Sequence, residues 1–101
     1  MILYNVTVSI DPEVEEEWKE WMRSVHIPDV LSTGCFQSHK FFRLLTERPD
    51  TDGITYAIQY FADSMSSLDQ YLKDHAPALQ QKHVRAYPNR FAAFRTILEE
   101  V

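Results

Sequence analysis

Glycine and cysteine are scarce in this chain: two glycines, Gly34 and Gly53, and one cysteine, Cys35, among 101 residues. Phosphate loops, dinucleotide-binding turns and nucleophile elbows need clustered glycines, and no such cluster is present. A single cysteine makes no intrachain disulfide and no thiolate metal cluster; Cys35 reads as a small buried apolar residue. Cations are outnumbered, 10 lysines and arginines against 15 acidic residues, for a net charge of −5. Phosphate backbones and anionic lipid repel such a chain. Its one basic cluster, Lys82, His83, Arg85 and Arg90, is weak, so neither nucleic acid nor a membrane is expected as partner. No apolar run reaches bilayer length. The N-terminus alternates where a signal peptide would be basic and then continuously apolar, and a soluble cytoplasmic protein is expected. The four histidines lack ligand spacing, H-E-x-x-H is absent, and Asp50-Thr51-Asp52-Gly53 lacks the further acidic ligands of a calcium loop. Neither metal nor cofactor is expected.

The patterning that is present is strong. With 45% hydrophobic and 25% charged residues, the chain supports one core and a single domain over residues 1–101. Residues 2–10, I-L-Y-N-V-T-V-S-I, alternate strictly and predict a strand with one buried side. Asp11-Pro12 offers an N-cap and a proline at the first helical position. Glu13, Glu15, Glu16 and Glu17 follow at the end of the helix dipole that favours anions. Val14, Trp18, Trp21, Met22 and Val25 form a buried helical stripe, and Gly34 ends the helical region. Residues 35–46 read as a second strand with a bulge allowed at Phe41-Phe42, residues 49–53 as a turn, and residues 54–62 as a third strand. A second helix starts after Asp63 or Ser64, with Leu68, Tyr71, Leu72, His75 and Leu79 on one face. Residues 90–99 make the last strand.

The halves echo one another. Ile2, Tyr4, Val6 and Val8 reappear as Ile54, Tyr56, Ile58 and Tyr60; Asp11 reappears as Asp63, and Phe42-Arg43 as Phe94-Arg95, all at an offset of 52 residues. His26-x-Pro28 and His75-x-Pro77 repeat only at 49. Each half is one βαβ unit. The pair predicts an α+β, ferredoxin-like β-α-β-β-α-β fold, an antiparallel sheet with two helices on one face.

The apolar even-numbered residues of strands one and three should face the helices, joined by Phe42, Leu44, Phe94 and Leu98. The opposite face then holds Leu3, Asn5, Thr7, Ser9, Gln59 and Phe61, and, read by parity, His39, Phe41, Arg43, Ala93, Arg95 and Ile97. That face is too apolar for plain solvent and too polar for a core. Two copies packed through it would form a dimeric α/β barrel enclosing a space lined by Asn5, Thr7, His39, Arg43, Gln59 and Arg95. The arginines favour a small anionic ligand, unless they pair with glutamates such as Glu47 and Glu99. His26 reads as a donor to loose carbonyls at a helix exit, with Asp29 one turn on able to hold its ring, and His75 as a partner for a carbonyl freed by Pro77. Trp18 and Trp21 read as core.

Several motifs occur in order: M-I-L-Y-N-V-T-V, E-E-W-x-x-W-M, H-I-P-D-V-L-x-T-G, I-T-Y-A-I-Q-Y, H-A-P-A-L-Q and F-A-A-F-R-T-I-L-E-E-V. On these the whole chain resembles a bacterial family known as domain of unknown function 4286. The resemblance implies similarity to the dimeric α/β-barrel group, whose relatives include cofactor-free monooxygenases and small-molecule isomerases, and it carries over no catalytic residue. The expectation is a homodimeric small-molecule-binding or regulatory module using the sheet face away from the helices. The alternative is a cofactor-independent enzyme acting on a small acidic or aromatic substrate.

Overall fold

The computed structural model describes residues 1–46 and 53–101. The turn expected at residues 49–53, apart from Gly53, and the partner residue Glu47 lie outside the described residues. Strand β1 (Ile2–Ile10) is central, pairing antiparallel with β3 (Ile54–Ala62) on one side and β4 (Phe91–Glu99) on the other. β2 (Ser38–Arg43) pairs with β3, giving the order β2-β3-β1-β4. The architecture is the ferredoxin-like α+β fold that the patterning predicts.

The first helical region is segmented. Asp11 accepts from the Glu13 N–H at 2.9 Å and opens a 3₁₀ turn, Pro12–Val14, leading into α1 (Glu15–Trp21). A π turn, Met22–His26, joins α1 to α2 (Ile27–Leu31), with the Ile27 N–H reaching the Met22 carbonyl. Pro28 accounts for it: the residue has no N–H, and its ring crowds the carbonyl four residues back, which the wider π turn relieves. Gly34, at φ +77°, then turns the chain out of the helix, its N–H bonded to the Leu31 carbonyl. Ser64 caps α3 (Met65–Asp74), accepting from the Ser67 N–H. Where one helix is expected in the second half, there are two. Pro77 offers no N–H to the Lys73 carbonyl, and the chain breaks at His75 (φ −126°) before α4 (Ala76–Ala86).

The helices cover one sheet face. Val8, Ile10, Trp18, Met22, Val30, Ile58 and Leu68 are fully buried between the layers. The even residues of β1 and β3 face inward as expected. The edge strands run at the opposite parity from the sequence expectation. Phe41 lies opposite Ile58, His39 opposite Tyr60 and Arg43 opposite Tyr56, so these three face the helices while Phe42 faces away. Arg95 lies opposite Val6 and Ile97 opposite Tyr4, so Phe94 and Leu98 also face away. Directly paired residues share a face, and the β2–β3 register is one-to-one from Ser38 to Arg43, without the bulge that would have reversed it. The repeat between the halves survives this correction. Phe42 and Phe94 occupy matching outward places on the two edge strands, and Arg43 and Arg95 matching inward ones.

A Cβ on Gly34 would meet no atom within 4 Å, so only its positive φ restricts substitution. Gly34→Ala should destabilise by about 1 kcal/mol and Gly34→Asn by less, because asparagine tolerates the left-handed region; urea unfolding would measure both.

Candidate functional site

The two sheet faces differ in kind. On the face away from the helices, Asn5, Thr7 and Gln59 are neighbours, and Asn5 Nδ2 donates to Thr7 Oγ1 at 3.1 Å. They are flanked by large exposed apolar side chains: Phe42 is 49% exposed, Phe94 57% and Leu98 45%. A groove of about 350 Å³ runs between Phe42, Thr7 and Phe94, bordered by Arg43 at the sheet edge.

Beneath the helices lies a small cavity of about 20 Å³, room for about one water molecule, with exposed Arg95 at its edge on β4. Val6, Val8, Ile58, Met22, Val30 and Leu79 form its apolar wall, and Tyr4, Tyr60 and Tyr71 its aromatic one. Its polar groups are few: His26, His83, Gln80 and Arg95. Arg95 and Gln80 act on the Tyr4 phenol in the direction that lowers its pKa, against the larger effect of burial. Burial pushes the phenols of Tyr4, Tyr60 and Tyr71 up, so all three are neutral at physiological pH.

Two buried imidazoles give the cavity its chemistry. Trp18 Nε1–H donates to His83 Nε2 at 3.0 Å in the core. Indole nitrogen only donates, so this ring nitrogen of His83 carries no proton. Phe91 stacks on His83 at 3.9 Å between centroids, and His26 lies 5.1 Å away. His26 stacks on Trp21 at 5.2 Å and is 9% exposed, and its Nδ1 is buried with no hydrogen-bond partner. Burial lowers the pKa of His26 to about 4, against an upward pull from Asp29 and with downward pushes from Lys82 and Arg95. Burial, then the neighbouring His26 and Arg95, lowers His83 to about 3.

The six side chains expected to line one ligand space are divided by the sheet. By register Asn5, Thr7 and Gln59 lie on the outer face and His39, Arg43 and Arg95 on the helix side, where Arg95 lines the cavity; at the sheet edge Arg43 also borders the outer groove together with Thr7 and Gln59. His39 and Arg43 are exposed on the edge strand. His26 is no donor at a helix exit, because the helix continues through the π turn to Leu31 and the ring points inward. Asp29 bonds Lys82 at 2.6 Å instead of the His26 ring. The basic cluster also dissolves: Lys82 is in that pair, His83 is buried, and Arg90 pairs with Asp11 and Glu13. His83 lies one turn beyond Leu79, and both line the cavity; its pairing with Trp18 and His26 across the core carries no signal in the sequence. Trp18 and Trp21, read as packing, are also the groups that hold the two imidazoles. Among the described residues, no group of three or more His, Cys, Asp or Glu side chains could hold a metal ion, and no helix is long and apolar enough to cross a membrane.

A four-stranded antiparallel sheet in this order, helices on one face, defines a ferredoxin-like domain. The chain belongs to the family described as Domain of unknown function (DUF4286), whose model matches residues 1–101. Among solved structures it is similar to an ethyl tert-butyl ether D (EthD) family protein from Bacillus halodurans, with a TM-score of 0.73 at 17% identity over 100% of both chains. It is similar to a dimeric ferredoxin-like protein from an uncultured marine organism, with a TM-score of 0.66 at 14% identity over 100% of this chain and 95% of that one. It is also similar to SnoaB, a cofactor-independent oxygenase from Streptomyces nogalater, with a TM-score of 0.62 at 15% identity over 98% of this chain and 91% of that one. At such identities the likeness establishes the fold alone. None of the curated proteins compared matches the chain.

The two imidazoles link stability to pH. Unfolded, each takes up a proton as pH falls below about 6.5; folded, they resist until about 4 for His26 and about 3 for His83. The unfolded state therefore binds more protons in that window. Their contribution, fully present above pH 6.5, should be lost as pH falls through it, on the order of 3 kcal/mol per histidine. Denaturant unfolding at stepped pH would show the slope, and His83→Gln, which keeps an acceptor for Trp18, should flatten it. Trp18→Phe leaves His83 Nε2 unpaired and should cost about 1–3 kcal/mol while raising the His83 pKa, readable by NMR titration.

Proposed function

We propose that this protein is a homodimeric small-molecule-binding protein whose two faces do separate work. The outer sheet face meets a second copy. Exposed Phe42, Phe94 and Leu98 on a four-stranded sheet form an apolar patch of the kind that marks an interface, and the description of a protein of similar fold as dimeric is consistent with a dimer. The ligand's polar head enters the cavity under the helices, which has room for about one water molecule, and its body is admitted only if the helices part. The observation that carries this placement is His26 Nδ1, a buried polar atom without a partner in an otherwise apolar and aromatic space. Native buried polar groups are nearly always satisfied, by ordered water or by a ligand's polar group. Arg95 is the charged residue of the lining and selects an anionic group on an apolar or aromatic body.

A second reading is a cofactor-independent enzyme acting on a small acidic or aromatic substrate. What favours it is the same imidazole, unprotonated at physiological pH in a largely apolar and aromatic cavity. The description of SnoaB as a cofactor-independent oxygenase on this fold is consistent with it.

Sedimentation velocity at micromolar concentration should give a dimer, and the double variant Phe42→Asp/Phe94→Asp a folded monomer; a wild-type monomer would refute the pairing. For the cavity, 2-naphthoate should raise the melting temperature more than uncharged 2-naphthamide does. Arg95→Gln should weaken naphthoate binding by roughly tenfold, about 1.4 kcal/mol, and abolish that preference. Absence of any naphthoate binding would remove the cavity as a site for acidic aromatic ligands.

A further inference from the structure

Register lays the outer face out as four rows across the sheet. Phe42, Ala57, Thr7 and Phe94 pair in turn from β2 to β4, so two aromatic rings flank two small side chains. The row two residues away holds Lys40, Gln59, Asn5 and Thr96, and the row beyond it Phe61, Leu3 and Leu98 with Ser38 at the edge. On the other side of the Thr7 row lie Thr55, Ser9 and Ala92, with Leu44 at the edge, its N–H bonded to the Thr55 carbonyl. None of these residues is buried. The chain is 25% charged, yet on these rows only Lys40 carries a charge. Charge depletion of that kind marks the centre of an interface. Side-chain size is graded as well: the Leu3 row is large and the Ser9 row, six residues along each strand, is small.

We propose that the second copy packs on this face with the two-fold axis running across the strands, between the Asn5 and Thr7 rows. The inference rests on the homodimer reading and adds its orientation. Facing sheets stand about 10 Å apart, so a large side chain needs a small one opposite. A two-fold axis between them can run across the strands or along them. Across them, strand directions reverse and the Leu3 row meets the partner's Ser9 row. Phe61 then stands over the partner's Thr55, Leu3 over the partner's Ser9 and Leu98 over the partner's Ala92, each contact occurring twice. Gln59 enters the groove of about 350 Å³ between the partner's Phe42 and the partner's Phe94. Along the strands, each row would meet itself: Phe61 on the partner's Leu3, Phe42 on the partner's Phe94 and Ala57 on the partner's Thr7. Large residues would collide and small ones leave gaps, so the first axis is the one that interdigitates. It also accounts for the polar centre of the face. Asn5 and Thr7, joined at 3.1 Å, meet the partner's Thr7 and the partner's Asn5, and a polar cluster satisfied in one register selects that register. Lys40 lies on the edge strand beside the partner's Phe42, at the wet rim of the interface.

Leu98, Ala92 and Ser38 are exposed, so cysteines there leave the core intact, and wild type, whose Cys35 is buried, is the control. Leu98→Cys mixed with Ala92→Cys should be joined between chains by a short bis-maleimide, whereas Leu98→Cys mixed with Ser38→Cys should not. Each variant alone should give roughly tenfold less product, because copies of one position stand about 20 Å apart at about 3.3 Å per residue. Ala92→Leu sets a leucine against the partner's Leu98 and should weaken the dimer by roughly tenfold in sedimentation, and the exchanged pair Ala92→Leu/Leu98→Ala should restore it. A dimer cross-linked between Leu98→Cys and Ser38→Cys, or in neither mixture, overturns this axis while leaving the homodimer reading in place, as does an exchanged pair that fails to recover. A wild-type monomer overturns the homodimer reading itself, and this inference with it.

Discussion

The hydrogen bond from Trp18 to His83 ties the structure together. It crosses the domain from α1 to α4, joining residues 65 apart in sequence, in a place that is wholly buried. Two polar atoms that would each be costly alone satisfy one another. The same bond fixes the tautomer of His83, keeps that imidazole neutral and holds its ring flat against Phe91 on β4. Trp21 and His26 then stack beside it, so the shape of the cavity derives from one donor and one acceptor.

The broad architecture was legible because it rests on local chemistry. Strict alternation in β1 and β3, the Asp11 and Ser64 caps, and Gly34 beyond a helix each act through their own few residues. The edge strands were not legible in the same way. Phe41-Phe42 and Phe91-Ala92-Ala93-Phe94 place apolar groups on both faces, so composition cannot choose a parity; the register with the neighbouring strand does. A slip of one residue exchanges every side chain between faces, and this is why His39, Arg43 and Arg95 moved to the helix side.

The cavity was less legible still. It is assembled from the π turn, α2, α3, α4 and three strands, and its two imidazoles, His26 and His83, stand far apart in sequence. Proline shaped both approaches. Pro28 widens a turn and Pro77 breaks a helix, and each event rotates the downstream residues away from ideal helical periodicity.

The π turn at Met22–His26 also bears on how relatives of this chain are compared. Such a turn is what a single inserted residue produces when a helix absorbs it without breaking. The strands of the two halves match at an offset of 52, while the His-x-Pro elements match at 49, a difference of three residues of which the π turn accounts for one. Alignments of one half against the other, or of this chain against distant members of its fold, need a gap inside a continuous helix rather than in a loop. Placing that gap correctly decides whether His26 is matched with its counterpart or with a surface residue one position away.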